Sequence, residues 1–178
     1  ILKAILFLKP IQGDRVAITG GSGGLSVAVA DVFAEAGLAV PRLSQKSYDE
    51  FATFFSLIGG GYQNPVDTGN VNAFEMKRIL DILAADEHID NIVLLLTAHI
   101  RSMTLTETII SAATAIQKTT AKPVAAIIAH TFSPHHVQQA QELMKKLQEG
   151  GVPTFISLER GARAIRKTLE YYRIKKGR

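Results

Sequence analysis

The chain of 178 residues contains no cysteine and no tryptophan. Without a thiol there is no disulfide, no thiolate nucleophile and no cysteine-ligated zinc or iron–sulfur centre. A reducing, cytoplasmic address fits that absence. No apolar run reaches the roughly 18 residues of a membrane-spanning helix. No repeat and no low-complexity tract appears. The first residues, ILKAILFLK, lack a following small-residue cleavage site, so they do not read as a secretory signal.

Apolar residues make up 47% of the chain, as an ordinary globular domain requires. The net charge of +4 is unevenly placed. Residues 160–178 carry eight basic side chains against Glu170, so the remainder is acidic overall. A basic terminal helix complements the negative pole of its own dipole. No basic–aromatic interleaving accompanies it, so no nucleic-acid surface is expected.

The order of elements follows from periodicity. Arg15–Thr19 is a short buried strand closed by glycines, and Leu25–Ala36 has helical spacing up to Gly37. Leu38–Leu43 reads as a second strand. Ser47 and Glu50 have capping-box spacing before a helix through about Leu57. A helix over Ala73–Ala85, a strand at Ile92–Leu96 and a helix to Lys118, with Thr104 and Glu107 as its capping box, follow. Pro123–Ala129 is a strand, Ser133-Pro134 starts a helix, Pro153–Ile156 is a last strand, and Ser157 caps a helix to Tyr172. Five alternations of strand and helix predict an α/β fold, a five-stranded parallel sheet with helices on both faces. The segment 1–14 reads as a helix docking on this domain or a linker stub, with 15–178 as the domain. Ligands of such sheets bind beyond the C-terminal strand ends.

Gly20, Gly21, Ser22, Gly23 and Gly24 lie there, between the first strand and the first helix. Glycines let the backbone approach a ligand closely, and a helix start offers unpaired N–H groups with a positive dipole end. The combination predicts a site for an anion, most naturally a phosphoryl group. No lysine follows at Walker A spacing, which excludes a nucleoside-triphosphatase loop. A flavin binder lacks its aromatic sandwich, and a receiver domain would need Asp where Thr97 stands. A short-chain dehydrogenase-like NAD(P) binder is suggested by the near-match to TGxxxGxG and by Tyr171-xxx-Lys175 with Ser157 upstream. The strand 92–96 leads into TAHI, however, and not into the NAG turn of those enzymes.

RVAITGGSGGLSVAVADVFAEAGLAVPRLS resembles a stretch of the NDP-forming acyl-CoA synthetases, relatives of succinyl-CoA synthetase. Asn64-Pro65-Val66-Asp67, Asp90–Thr97, Lys122-Pro123-Val124, Gly151-Val152-Pro153 and Glu159-Arg160 continue the pattern in order. The resemblance is to the second flavodoxin-like CoA-ligase domain, without the catalytic histidine. It implies that Gly20–Gly24 and the following helix help to hold a phosphohistidine carried by another domain. It also implies that CoA, nucleotide and Mg belong to the full enzyme, with none bound by this domain alone. The partners implied are the CoA-binding, His-bearing ligase and ATP-grasp domains; a homodimer is a further option. The acid–thiol ligase activity would reside in the larger protein, with the fragment inactive alone. A non-catalytic interaction module is the alternative.

Asn64 and Asp67 flank Pro65, either as an Asx-based turn or as a brace for the glycine turn. His130 follows the fourth predicted strand and reads as a loop or interface histidine. His99 could join it only if their loops converge. His135 and His136 are consecutive and face different directions, where a metal pair would want a four-residue spacing. His88 lies in a polar loop. No metal site is expected. Asp31 and Glu35 sit one helical turn apart and are not a catalytic pair.

Overall fold

The computed structural model describes residues 1–21, 24–55, 61–68, 73–97, 103–129 and 134–177; of these, the side chains of 73–74, 103–105, 129 and 134–135 are not described. The elements in order are α1 (Leu2–Phe7), β1 (Val16–Gly20), α2 (Gly24–Glu35), α3 (Gln45–Ala52), α4 (Ala73–Ala85), β2 (Asn91–Thr97), α5 (Met103–Thr119), β3 (Val124–Ala129), α6 (Pro134–Glu149), β4 (Thr154–Phe155) and α7 (Leu158–Lys176).

The strands form one parallel sheet in the order β1-β2-β3-β4. Both faces are covered, so the strands are continuous apolar runs whose alternate residues enter two separate cores. Ala17, Ile92, Leu94, Val124 and Ala126 join the core beneath α3, α4, α5 and α6. Val16, Ile18, Val93, Leu95 and Ile127 join the core beneath α1, α2 and α7. The segment 1–14 takes part in the second core: Ala4, Leu8 and Ile11 are buried there.

The sheet has four strands and not the five expected. Leu38–Leu43 makes only an isolated parallel bridge, Arg15 to Ala39. Pro41 lies in that run, and its missing N–H cannot continue a ladder. A second bridge, Thr19 to Val66, covers the top of the same β1 edge. Between the two, the Asn64 side chain completes the edge. Its Oδ1 accepts from the Ile18 N–H at 2.9 Å, and its Nδ2 donates to the carbonyls of Val16 at 2.8 Å and Pro41 at 2.9 Å. The Val16 N–H donates to Ala39 O, the Val66 N–H to Ile18 O and the Gly20 N–H to Val66 O. The outer edge of β1 is thereby paired without a fifth strand, as a buried backbone demands.

Helix ends at the opposite rim of the sheet are closed by cations from distant segments. Lys9 Nζ donates to the carbonyls of Gln117 and Thr120 at the end of α5. Lys122 Nζ donates to Leu83 O at 3.2 Å and to Asp86 O at the end of α4. Arg166 donates to Gly37 O, just past α2, at 2.8 Å. Each places positive charge at a negative dipole end. The first helix of the other layer begins differently from expectation. Ser44, not Ser47, is the N-cap of α3, and the Ser47 hydroxyl instead donates to Asp86 at 2.6 Å. Ser157 caps α7 as expected, accepting from the Arg160 N–H. Helix α5 starts at Met103, ahead of the predicted cap.

Candidate functional site

The chain leaves β1 into α2 on one face of the sheet and leaves β2 into α5 on the other. The crevice between the C-terminal ends of β1 and β2 is therefore the topological switch point, where ligands of open α/β sheets bind. Gly20 and Gly21 stand at this position.

Gly20 pairs with Leu95 across the sheet and has φ 100°; a Cβ there would lie 2.0 Å from the Leu95 carbonyl oxygen. No other residue type fits between the two strands at that point. Gly21 follows with φ 75°. The Gly20 N–H is engaged with Val66 O, so Gly20 shapes the turn and its amide is not free to serve an anion. Gly24 opens α2 and is exposed, and a Cβ there would meet nothing within 4 Å. The start of the helix is thus open to approach from outside. The α2 segment has no acidic residue in its first turn to compete with an incoming anion. Ser22 and Gly23, named with them as site residues, lie outside the described residues, as do His99 and His130.

Asn64 and Asp67 lie on the segment that braces this turn. Asn64 holds β1 by the three hydrogen bonds given above, and Val66, two residues on, holds the Gly20 amide. Asp67 donates its N–H to Gly61 O at 2.7 Å. Asn64 braces the edge of β1, and the contact of this segment with the glycine turn is the Val66 carbonyl on the Gly20 amide. Thr19, at the end of β1, is 1% exposed, and its hydroxyl has no hydrogen-bond partner among the described residues. Among the described residues no group of three or more His, Asp or Glu is arranged to hold a metal ion. His88 donates its N–H to Asp86 at 2.8 Å and lies at the sheet's other rim.

Four charged groups with displaced pKa values, Arg15, Asp86, Asp90 and Lys122, are also at that far rim. The Arg15 guanidinium holds both oxygens of Asp90, at 2.9 and 2.8 Å, and lowers its pKa below the ordinary carboxylate value. Asp86 is 2% exposed. Burial opposes its charge, yet the Ser47 hydroxyl and the amides of Ser44 and His88 together bring its pKa below the ordinary value. Burial lowers the pKa of Lys122, against the pull of Asp86 and Asp90. These groups fasten helix and strand ends, and none faces the switch point.

No protein-family model matches the chain. Over 153 residues, 84% of its length, it is 28% identical to the alpha subunit of acetate–CoA ligase [ADP-forming] II of Pyrococcus furiosus. The similarity is thus to a subunit of an ADP-forming acetate–CoA ligase. It spans about a third, 32%, of that subunit's length. In fold it matches the protein PH0766 of Pyrococcus horikoshii OT3 with a TM-score of 0.80 at 22% identity, covering 97% of this chain and 39% of that one. It also matches the dinucleotide-forming acetyl-coenzyme A synthetase 1 of Ca. Korarchaeum cryptofilum, solved with phosphate and ADP, with a TM-score of 0.76 at 18% identity over 98% of this chain and 36% of that one.

Four of the residues that carry the sequence resemblance are scaffold. Arg15, Asn64, Asp90 and Lys122 all make the hydrogen bonds that hold β1, β2 and α4 together. The dehydrogenase alternative does not assemble. Ser157 caps the start of α7 and Tyr171 lies fourteen residues further along the same helix, about 20 Å away at 1.5 Å per residue. Tyr171 and Lys175 occupy the end of α7 farthest from the glycine turn. Among the described residues no helix is long and apolar enough to cross a membrane.

Proposed function

We propose that this chain is a flavodoxin-like ligase domain of an NDP-forming acyl-CoA synthetase, in which acid, CoA and NTP are interconverted with acyl-CoA, NDP and phosphate. The domain contributes the turn Gly20–Gly24 and the N-terminus of α2 to a phosphohistidine carried by another domain. The observation that carries this reading is the glycine turn at the switch point, opening directly into an exposed helix start, in a chain related to an ADP-forming acetate–CoA ligase subunit.

The chemistry asked of this chain is electrostatic. Amides at the start of α2 donate to phosphoryl oxygens, and the dipole adds about 0.3–1 kcal/mol per charge, rising to about 2 kcal/mol when the anion is partly buried. Gly20 fixes the turn, Asn64 and Val66 fix Gly20, and Gly21, Ser22, Gly23 and Gly24 supply the donors. The chain supplies no nucleophile. CoA, the nucleotide and its Mg are held by other domains, and the partners are the CoA-binding, His-bearing ligase and ATP-grasp domains.

The test is ATP formation from acetyl-CoA, ADP and phosphate. The purified chain alone should form none, and should restore turnover when the remaining domains of its parent protein are supplied in trans. Turnover by the chain alone would overturn this division of labour. Failure of any complementing domain to be activated would leave a non-catalytic interaction module as the better reading.

A further inference from the structure

Helices α2 and α7 pack side by side over one core, and between the end of α2 and the body of α7 they leave an open cleft of about 560 Å³. That volume lies in the range of small-molecule sites, about 300–1,000 Å³. Small residues make the gap: Ala36 and Gly37 on one wall and Ala162 on the other stand where larger side chains would close it. Val32 and Ala36, one helical turn apart and partly buried, give the α2 wall an apolar strip. Val32 is about 12 Å along the helix from Gly24, so the cleft is separate from the glycine turn.

The two walls are tied at a fixed spacing. Arg166 of α7 donates to Gly37 O on the α2 side at 2.8 Å and to Glu170 on its own helix at 3.0 Å. Gly37 has φ 77°, and a Cβ there would lie 3.3 Å from the Arg166 guanidinium. The cleft is therefore held open before any ligand arrives, which lowers the cost of binding.

Three carboxylates and three cations line it, Glu35, Glu159 and Glu170 against Arg163, Arg166 and Lys167, so its formal charge is zero. Four of the six are engaged on α7 itself: Glu170 holds Arg166 and Lys167, at 3.0 and 2.7 Å, and Glu159 is hydrogen-bonded by Ser157. The other two are Glu35 and Arg163, one on each wall. Both are exposed, and neither has an ion-pair or hydrogen-bond partner among the described residues. One free carboxylate and one free guanidinium thus face the same cleft beside an apolar strip. A simple anion would leave Glu35 unmatched, a simple cation would leave Arg163 unmatched, and an apolar molecule would match neither. A ligand with one charge of each sign matches both.

We propose that this cleft is a ligand site for a small zwitterion whose ammonium and carboxylate are joined by an apolar chain. Glu35 accepts from the ammonium, the planar Arg163 guanidinium takes the carboxylate, and the chain lies against Val32 and Ala36. The site does not depend on the anion-binding reading of the glycine turn.

Amide chemical shifts of the purified chain test it, in titrations with free glycine, β-alanine, γ-aminobutyrate and ε-aminocaproate. Hexanoate and hexylamine, which share the carbon chain of ε-aminocaproate, supply one charge each. The expected result is saturable shifts from Glu35 to Gly37 and at Ala162 and Arg163, largest at one chain length and absent from Gly21 to Leu25. Hexanoate and hexylamine should bind about two- to fivefold more weakly than ε-aminocaproate, the amount one exposed ion pair contributes. Glu35→Gln should weaken ε-aminocaproate by the same factor without weakening hexanoate, and Arg163→Gln should do so without weakening hexylamine. Both positions are exposed, so the circular dichroism spectrum should be unchanged, and the comparison among ligands on the native chain needs no variant. Shifts that fail to saturate with all four zwitterions, single-charge ligands that bind as tightly as ε-aminocaproate, shifts confined to Gly21–Leu25, or folded variants with unaltered affinities would each overturn the proposal.

Discussion

Asn64→Asp is the most incisive perturbation of the scaffold, because it changes hydrogen-bonding capacity at nearly constant shape. The native amide makes one accepted and two donated bonds, to the Ile18 N–H and to the carbonyls of Val16 and Pro41. A carboxylate keeps the first and loses both donations, turning its own oxygens toward two carbonyls. Each carbonyl left unpaired costs about 1–3 kcal/mol, so the loss should be about 2–6 kcal/mol before charge repulsion is counted. Against a total stability of order 5–15 kcal/mol, the domain should still fold in water. With a urea m-value of about 1–3 kcal/mol/M, the midpoint should fall by at least about 0.7 M at neutral pH, with m unchanged. Protonating the introduced carboxyl restores one donor, so the deficit relative to the native chain should shrink as pH falls toward the carboxylate range. A neutral-pH midpoint indistinguishable from the native value, or a deficit independent of pH, would refute the assignment of Asn64 as the substitute for a fifth strand.

Three further outcomes follow from the same structure. Gly20→Ala should cost about 3–5 kcal/mol or abolish folding, since its Cβ would meet the Leu95 carbonyl at 2.0 Å with φ 100°, whereas Gly24→Ala should leave the thermal midpoint unchanged or raised. Asp86 and Asp90 have folded pKa values below their ordinary ones. Their stabilisation is therefore complete above about pH 4 and is lost as pH falls through the lower folded values, so Asp90→Asn should flatten the acid limb of the stability profile measured by urea titration. Lys9→Ala should remove the cation that closes α5 and lower the thermal midpoint, while Lys3→Ala, a residue without an assigned contact, should not.

The alternation of apolar strands and amphipathic helices was legible because both faces of a parallel sheet are buried, which leaves a plain run at Ile92–Leu96 and Val124–Ile128. The fifth strand misled for a specific reason. Leu38–Leu43 has strand composition, but Pro41 breaks the ladder and a side chain forty-eight residues along from Val16 completes it. Periodicity does not register a side chain that substitutes for backbone. An asparagine immediately before proline, where the edge of β1 needs a donor and an acceptor together, was the available signal. The same holds for Asp86, which accepts from the hydroxyl of Ser47 in a helix thirty-nine residues earlier, and for Lys9 at the end of α5. The need for glycine at Gly20 was legible because its φ and close approach to Leu95 admit few alternatives. Its amide accounting was not, since only the fold brings Val66 to Gly20.

The central claim is that the start of α2 holds a phosphoryl group. Titration of the purified chain with inorganic phosphate, followed by amide chemical shifts, tests it directly. The account predicts saturable shifts for the amides from Gly21 to Leu25, none of comparable size for the internally bonded Gly20 amide, and their loss in Gly24→Asp, which adds a carboxylate where the backbone has room for it. Amides that do not move in the native chain, or move equally in Gly24→Asp, would contradict it.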